Sequence, residues 1–184
     1  MTKNYLDLLN QDPQDVRLNI LLAAQTPEKQ AIYGDNTVFL NKYPTTGNEM
    51  RYNNIPLLRL SEVYLNAAEA AAKIGDTDNT VKYLDPIVNR ANPAIHITNA
   101  DATLQRVLIE RRKELVGEGH RFFDAMRNNE TITRYTSSTD QGWHLPLRDE
   151  ARSFDRSFYK TLLPIPQGEI NANPAMKDQQ NPGY

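Results

Sequence analysis

Residues 57–76 read LLRLSEVYLNAAEAAAKIGD. Leu57, Leu60, Tyr64, Ala67, Ala71 and Ile74 recur every three or four positions, the spacing that lines one face of an α-helix with apolar side chains. It predicts a helix from Leu57 to Ile74 with that face in the core. Ala67, Ala68, Ala70, Ala71 and Ala72 put small side chains around its second half, so a neighbouring helix can lie close on more than one side. Gly75 stands where a left-handed C-cap residue is wanted and ends the helix. A second helix is expected to start near Asp78 to Thr80, with Val81, Leu84, Ile87 and Val88 on its apolar face. Pro86 lacks an amide donor and clashes with the turn before it, at about 3 kcal/mol in a straight helix, which predicts a kink or a break at Asp85.

A helix, a Gly-Asp turn and a helix over about 35 residues have the form of one tetratricopeptide-type repeat. The sequence holds no second copy, and one repeat cannot bury its own faces, so partner surfaces must come from other segments. Downstream, Thr98 to Asp101 is expected to cap a third helix reaching Val116. Its apolar stripe of Leu104, Val107, Leu108, Leu115 and Val116 is interrupted by Arg111 and Arg112, so at least one of these arginines points inward. A buried guanidinium needs hydrogen-bonded carboxylates, and Glu110, Glu114, Glu118 and Asp124 are the local candidates. Gly117 and Gly119 close the helix, and Arg121 to Arg127 (RFFDAMR) starts a short helical segment expected to bury Phe122, Phe123 and Met126.

Upstream, Asp12-Pro13-Gln14-Asp15 reads as a helix start, with Asp12 as the cap and Pro13 as the first helical residue, and the helix should run to about Ala24. Arg17 interrupts its apolar run and calls for a structural ion pair. Ala31 to Tyr33 and Thr37 to Tyr43, on either side of Gly34-Asp35, predict a short β-hairpin. Pro44 to Asn54 is a polar loop. The fold class is therefore all-α: a tetratricopeptide-like helical hairpin plus further helices, one short β-hairpin, long ordered loops and an extended C-terminal tail. The 184 residues, 39% of them hydrophobic, suffice for a single domain over 1–184. In the tail, prolines at 164, 166, 174 and 182 forbid a long helix. Leu162, Leu163, Ile165, Ile170, Met176 and Tyr184 punctuate it as apolar anchors, which predicts an ordered tail with a short turn at Glu169-Ile170 and Tyr184 docked.

A net charge of -2 carries no electrostatic footprint for nucleic acid or an anionic membrane. No apolar run approaches the roughly 20 residues that span a bilayer, and no signal peptide opens the chain. The absence of cysteine excludes disulfides, thiolate metal ligands and a lipidated cysteine in this chain, and its three histidines show no HExxH spacing. No metal site and no cofactor is expected. Glu118, His120 and Asp124 supply the residue types of acid–base catalysis, and paired carboxylates suit glycoside hydrolysis. Arg111, Arg112, Arg121 and Arg127 crowd the same corner, however, and would hold those carboxylates ionised and engaged. A structural ion-pair corner of Arg111, Arg112, Glu118, Arg121 and Asp124 is the preferred reading, with no catalytic residue. For ligand binding the candidates are Tyr135, His144 and the single tryptophan, Trp143, in the polar segment 131–152. An exposed aromatic face on a loop can stack on the C–H side of a sugar, although a tryptophan that plugs the loop onto the core explains the same residue.

Three stretches in order, residues 57–76, IERRKELVGEGHRFFDAMR at 109–127 and LPIPQGEINANPAMKDQQNPGY at 163–184, together resemble the C-terminal region of SusD/RagB proteins. Asp15-Val16-Arg17 and NKYP at 41–44 resemble that family's approach to the central helix. The resemblance implies an outer-membrane, surface-exposed lipoprotein of Bacteroidetes that captures oligosaccharides, or in some members peptides, and hands them to a SusC-type TonB-dependent transporter without enzymatic activity. It also implies a longer protein, with a signal peptide, a lipidated cysteine and an N-terminal helical-repeat part that this chain lacks, so attachment to a membrane would run only through that missing anchor. The alternatives are a helical-repeat scaffold that binds protein and a glycosidase built on Glu118 and Asp124.

Overall fold

The computed structural model describes residues 2–23, 27, 38–43, 56–134 and 149–184. These residues fall into two compact units, the first ending at Arg121 and the second beginning at Phe122. The proposed ligand residues Tyr135, Trp143 and His144, and the first arm of the expected hairpin, lie outside the described residues.

The first unit is helical. It contains α1 (Lys3–Asn10), a 3-10 turn (Val16–Ile20), strands β1 (Leu21–Ala23) and β2 (Val38–Leu40), then α2 (Leu60–Ile74), α3 (Thr77–Ala91) and α4 (Leu104–Glu114). The α2–α3 pair is the expected helical hairpin, and α4 packs on both. The cap N–H of Gly75, at φ 76°, bonds back to the carbonyls of Ala71 and Ala72. Asp76 then caps α3 by accepting from Asn79 N at 3.0 Å. Leu65 and Ala68 of α2, Leu84, Ile87 and Val88 of α3, Ile97, and Val107 and Leu115 at α4 form the core. Tyr64 and Tyr83 meet edge to face beside it, 6.1 Å apart.

The structure corrects several expectations. Helix α2 buries Leu65, Ala68 and Ala71, whereas Leu57, Leu60 and Ile74 are 97%, 71% and 79% exposed. The stretch is apolar on two sides, and the side that α3 and α4 cover is the one built around Leu65. Leu60, Val63, Ala70 and Ile74 form a second apolar stripe that stays open. Helix α3 runs unbroken through Pro86. The buried side chains Leu84, Ile87 and Val88 straddle the proline, so packing holds the helix where local propensity would end it. Among the described residues of the stretch expected as a helix from Pro13 to about Ala24, no α-helix forms. Asp15 accepts both the backbone N–H and the guanidinium of Arg17, and this local bond turns the chain into the 3-10 segment and then β1. Strand β2 accordingly pairs antiparallel with β1, in the register Leu21–Leu40, Leu22–Phe39 and Ala23–Val38. The cap of α4 is Thr103, whose hydroxyl accepts from Arg106 N, while Thr98 and Asp101 close a turn of their own.

Helix α5 (His120–Arg127) leads from one unit into the other. It buries Asp124 and Ala125, whereas Phe123 is exposed and meets Phe122 edge to face. In the second unit β3 (Ile132–Thr133) pairs antiparallel with β4 (Ser153–Phe154), directly after the single turn of α6 (Asp149–Arg152). The tail is ordered but not extended throughout: α7 (Gln167–Ala172) is flanked by 3-10 turns at Tyr159–Thr161 and Pro174–Gln179. Ile165, Ile170 and Met176 are half-buried, while the expected anchors Leu162 and Leu163 are exposed. Among the described residues, no helix is long and apolar enough to cross a membrane.

The two sides of the hairpin should respond differently to truncation. Leu84→Ala, at a fully buried position, is expected to cost about 2 to 5 kcal/mol in urea-unfolding experiments. Leu60→Ala, on the open stripe, should stay within about 0.5 kcal/mol of the parent.

Candidate functional site

Glu110, Glu114 and Glu118 follow one another at four-residue spacing, and the first two lie on the buried face of α4 with Val107, Arg111 and Lys113. Three ionised carboxylates along one seam are tolerable only if each is met by cations and hydrogen-bond donors. The donors arrive from distant parts of the chain. Arg17 Nη2 donates to Glu110 Oε2 at 2.8 Å and to Asp15 Oδ2 at 2.6 Å, and Arg17 Nε donates to Asp15 Oδ1 at 2.8 Å. Arg106 Nη2 lies 3.1 Å from Glu110 Oε1. Arg90 Nη2 donates to Glu114 Oε2 at 2.6 Å, and Arg59 Nη1 to Glu114 Oε1 at 3.2 Å. Arg59 also forks onto Glu118, from Nε to Oε2 at 3.0 Å and from Nη2 to Oε1 at 2.8 Å. The Lys42 ammonium makes a close contact with Glu118 Oε1 and also donates to the carbonyls of Glu114 and Val116.

Backbone geometry at Gly117 makes the last of these contacts possible. Its φ is +77°, and a Cβ there would fall 2.4 Å from Leu40 Cδ2. Only glycine lets the turn after α4 pass this close to β2, and that approach sets Glu118 beside Lys42, two residues beyond the strand. At the other end, Tyr5 Oη donates to the Lys113 carbonyl at 3.0 Å, and Arg112 Nη2 makes a close contact with Asn4 Oδ1, so α1 is tied to the same helix.

The electrostatics follow from these contacts. Burial alone would raise the Asp15 carboxyl, but its hydrogen bonds from Arg17 outweigh that and hold it below the usual carboxylate range. Glu118 shows the same balance: burial pushes up, Arg59 and Lys42 pull further down. For Lys42 burial wins, lowering its ammonium despite the bond it donates to Glu118. A carboxyl held down in this way stays ionised at neutral pH and has no proton to give, so Glu118 is not placed to act as a general acid. A cavity of about 280 Å³ lies beside Arg17. Its lining carboxylates Asp12, Asp15 and Glu110 match its cations Arg17, Arg106 and Lys113 in number, so it carries no net charge to draw an ion.

The sequence-expected corner is thus partly reassigned. Arg111 is buried, as one of the two arginines had to be, and donates to Asn66 Oδ1 at 2.6 Å. Asp124 is buried and accepts from Arg127 Nη2 at 2.6 Å. Arg121 is half-buried at the start of α5. His120 Nδ1 stands 3.9 Å from Glu62 Oε1. Glu118 takes its partners from Lys42 and Arg59, which the sequence reading did not name. Arg90 and Arg106 were missed as well; none of the four breaks a recognised apolar periodicity, whereas Arg17 interrupts an apolar run. Among the described residues no cluster of three His, Asp or Glu side chains could hold a metal ion.

Comparison with known proteins returns one family. The SusD family pattern matches residues 14–184. A putative sugar binding protein from Bacteroides vulgatus is 46% identical in sequence, with a TM-score of 0.78 over 98% of this chain and 38% of its own. A SusD superfamily protein from Bacteroides thetaiotaomicron is 40% identical, with a TM-score of 0.80 over 98% of this chain and 40% of its own. SusD-like protein P25 from Formosa agariphila is 28% identical over 147 residues, 74% of this chain and 27% of the relative. The chain therefore spans about a quarter to two fifths of the length of the proteins it matches.

Removing the central cation tests the seam. Arg17→Ala leaves Asp15 and Glu110 without their shared donor and is expected to cost about 3 to 5 kcal/mol of unfolding free energy, read by urea titration. A pH series tests the carboxylates. Because the folded Asp15 and Glu118 carboxyls lie below their ordinary values, their stabilisation is fully present above about pH 5 and is lost progressively as pH falls through the ordinary and then the folded values. The melting temperature should drop on acidification below about pH 5, and Glu118→Gln should flatten that acid limb.

Proposed function

Because the chain belongs to the SusD family, we propose that it works as a glycan-binding part of a cell-surface nutrient-uptake protein. In this reading the whole protein is an outer-membrane lipoprotein of Bacteroidetes that captures an oligosaccharide, or in some settings a peptide, and delivers it to a SusC-type TonB-dependent transporter. The observation that carries the reading is the 46% identity, over nearly the whole chain, to a protein described as sugar binding. The ion-pair seam supports the non-enzymatic side of it, since Glu118, the carboxylate a glycosidase mechanism would use, is committed to Arg59 and Lys42. In this reading Trp143 and Tyr135, which lie outside the described residues, would supply aromatic faces and His144 a hydrogen-bonding group. The open stripe of Leu60, Val63, Ala70 and Ile74 favours a protein contact on α2 as a second role of the same chain.

Isothermal titration against a panel of malto-, xylo-, manno- and galacturono-oligosaccharides should give saturable heat with at least one member, and chromatography after overnight incubation should show that member intact. Trp143→Ala is expected to weaken binding at least tenfold, since aromatic stacking carries much of the contact energy in such sites (about 1.4 kcal/mol per decade). The double variant Glu118→Gln with Asp124→Asn should change stability and leave binding as it is. Cleavage of a glycan that this variant abolishes would replace the binding-protein reading with a glycosidase.

A further inference from the structure

The second unit contains a groove lined by residues of its C-terminal tail. Its lining includes Gln167, Ile170, Asn171, Pro174, Lys177 and Tyr184, around a space of about 690 Å³. Side-chain clasps hold its walls. Gln180 Oε1 accepts from Ile165 N at 2.8 Å, Gln180 Nε2 donates to the Ile165 carbonyl at 3.1 Å, and Asn181 Nδ2 donates to the Leu163 carbonyl. Tyr184 Oη donates to the Leu162 carbonyl at 3.0 Å, and its ring meets Tyr159 edge to face at 5.4 Å. Gly183 permits that last contact: at φ +91° a Cβ would lie 2.6 Å from Tyr159 Cδ2. Residues 162–165 and 180–184 are therefore fastened to each other, and the half-exposed Tyr184 ring has a set orientation.

The polar groups that line the groove with this ring keep unused hydrogen-bonding atoms. Gln167 Nε2 donates to Asn171 Oδ1 at 2.8 Å, which leaves Gln167 Oε1 and Asn171 Nδ2 without a hydrogen bond among the described residues. The Lys177 ammonium likewise has no partner among them. Ile170 and Pro174 add apolar C–H surface between these groups. A half-exposed aromatic ring with an acceptor, an amide donor and an ammonium around it is the chemistry of a sugar-binding surface: C–H groups stack on the ring and hydroxyls fill the polar contacts.

We propose that the groove between α7 and Tyr184 is a saccharide subsite, in which Tyr184 stacks on a pyranose and Gln167 Oε1, Asn171 Nδ2 and Lys177 Nζ bind its hydroxyls or a ring carboxylate. The assignment rests on the glycan-binding reading above. Because the clasps set the walls before ligand arrives, binding orders little of the chain.

The test is titration of the isotope-labelled protein with the same oligosaccharide panel, followed by nitrogen–proton correlation spectra and calorimetry. The side-chain amide signals of Gln167 and Asn171 should shift with saturation. The exposed substitutions Asn171→Ala and Lys177→Ala should each weaken binding about three- to tenfold, with melting temperatures unchanged. Galacturono-oligosaccharides lose more than neutral ones in Lys177→Ala if the lysine binds a carboxylate, and equally if it binds a hydroxyl; either pattern supports the site. Tyr184→Phe keeps the ring and should retain binding better than Tyr184→Ala. If a saccharide binds while both amide signals stay still and these variants bind like the parent, the groove is not a subsite and the glycan-binding reading stands. If no panel member binds, that reading fails and takes the subsite with it.

Discussion

The first unit depends on burying carboxylates. Glu110 and Glu114 lie on the inner face of α4, Glu118 follows one turn later, and all three are screened from water in the fold. Placing such charges inside costs several kcal/mol each unless cations and donors meet them. That demand explains why residues far apart in sequence converge here: Arg17 beside Asp15, Lys42 after β2, Arg59 at the start of α2 and Arg90 in the last turn of α3. The apolar core of Leu65, Leu84, Val88 and Val107 packs the same helices, but it is not directional. The carboxylate seam adds direction, since each guanidinium fork fits its acceptor in one geometry.

The same seam narrows what the unit can do. Glu118, which could serve as acid or base in another setting, is here held ionised by Arg59 and Lys42, and Gly117 holds the turn that keeps it within reach of Lys42. An interior cross-linked by ion pairs in this way suits a frame on which recognition takes place at other surfaces. The clasped tail of the second unit offers such a surface: its polar side chains keep free valences, and its aromatic ring is held open instead of packed away.

Legibility of the site in the sequence followed the physics of each signal. Arg17, and one of Arg111 and Arg112, could be read as inward-pointing because they sit where an apolar position was due, and Arg111 is the buried one. Lys42, Arg59 and Arg90 carried no such mark, since a single cation looks the same whether it is solvated or bridged to a carboxylate 24 to 76 residues away. The expected hairpin shows a related limit, since its first arm lies outside the described residues. The strand at Val38–Leu40 was visible, but its partner is Leu21–Ala23, a segment whose apolar run reads equally well as helix. Asp15 decides between the two by binding the Arg17 amide and guanidinium.

By itself, the sequence determined the helical class, the α2–α3 hairpin with its Gly75 cap, the necessity of a buried arginine and the likeness to SusD proteins, because periodicity, caps and ordered motifs are local properties of the chain. Only the tertiary structure decided which side of α2 is core, that α3 continues through Pro86, which cations answer Glu110, Glu114 and Glu118, and how Tyr184 is held against Tyr159. Each of these outcomes turns on a partner distant in sequence. Burial and ion pairing are energies of proximity in space, and a linear pattern records what a residue needs without recording which neighbour supplies it.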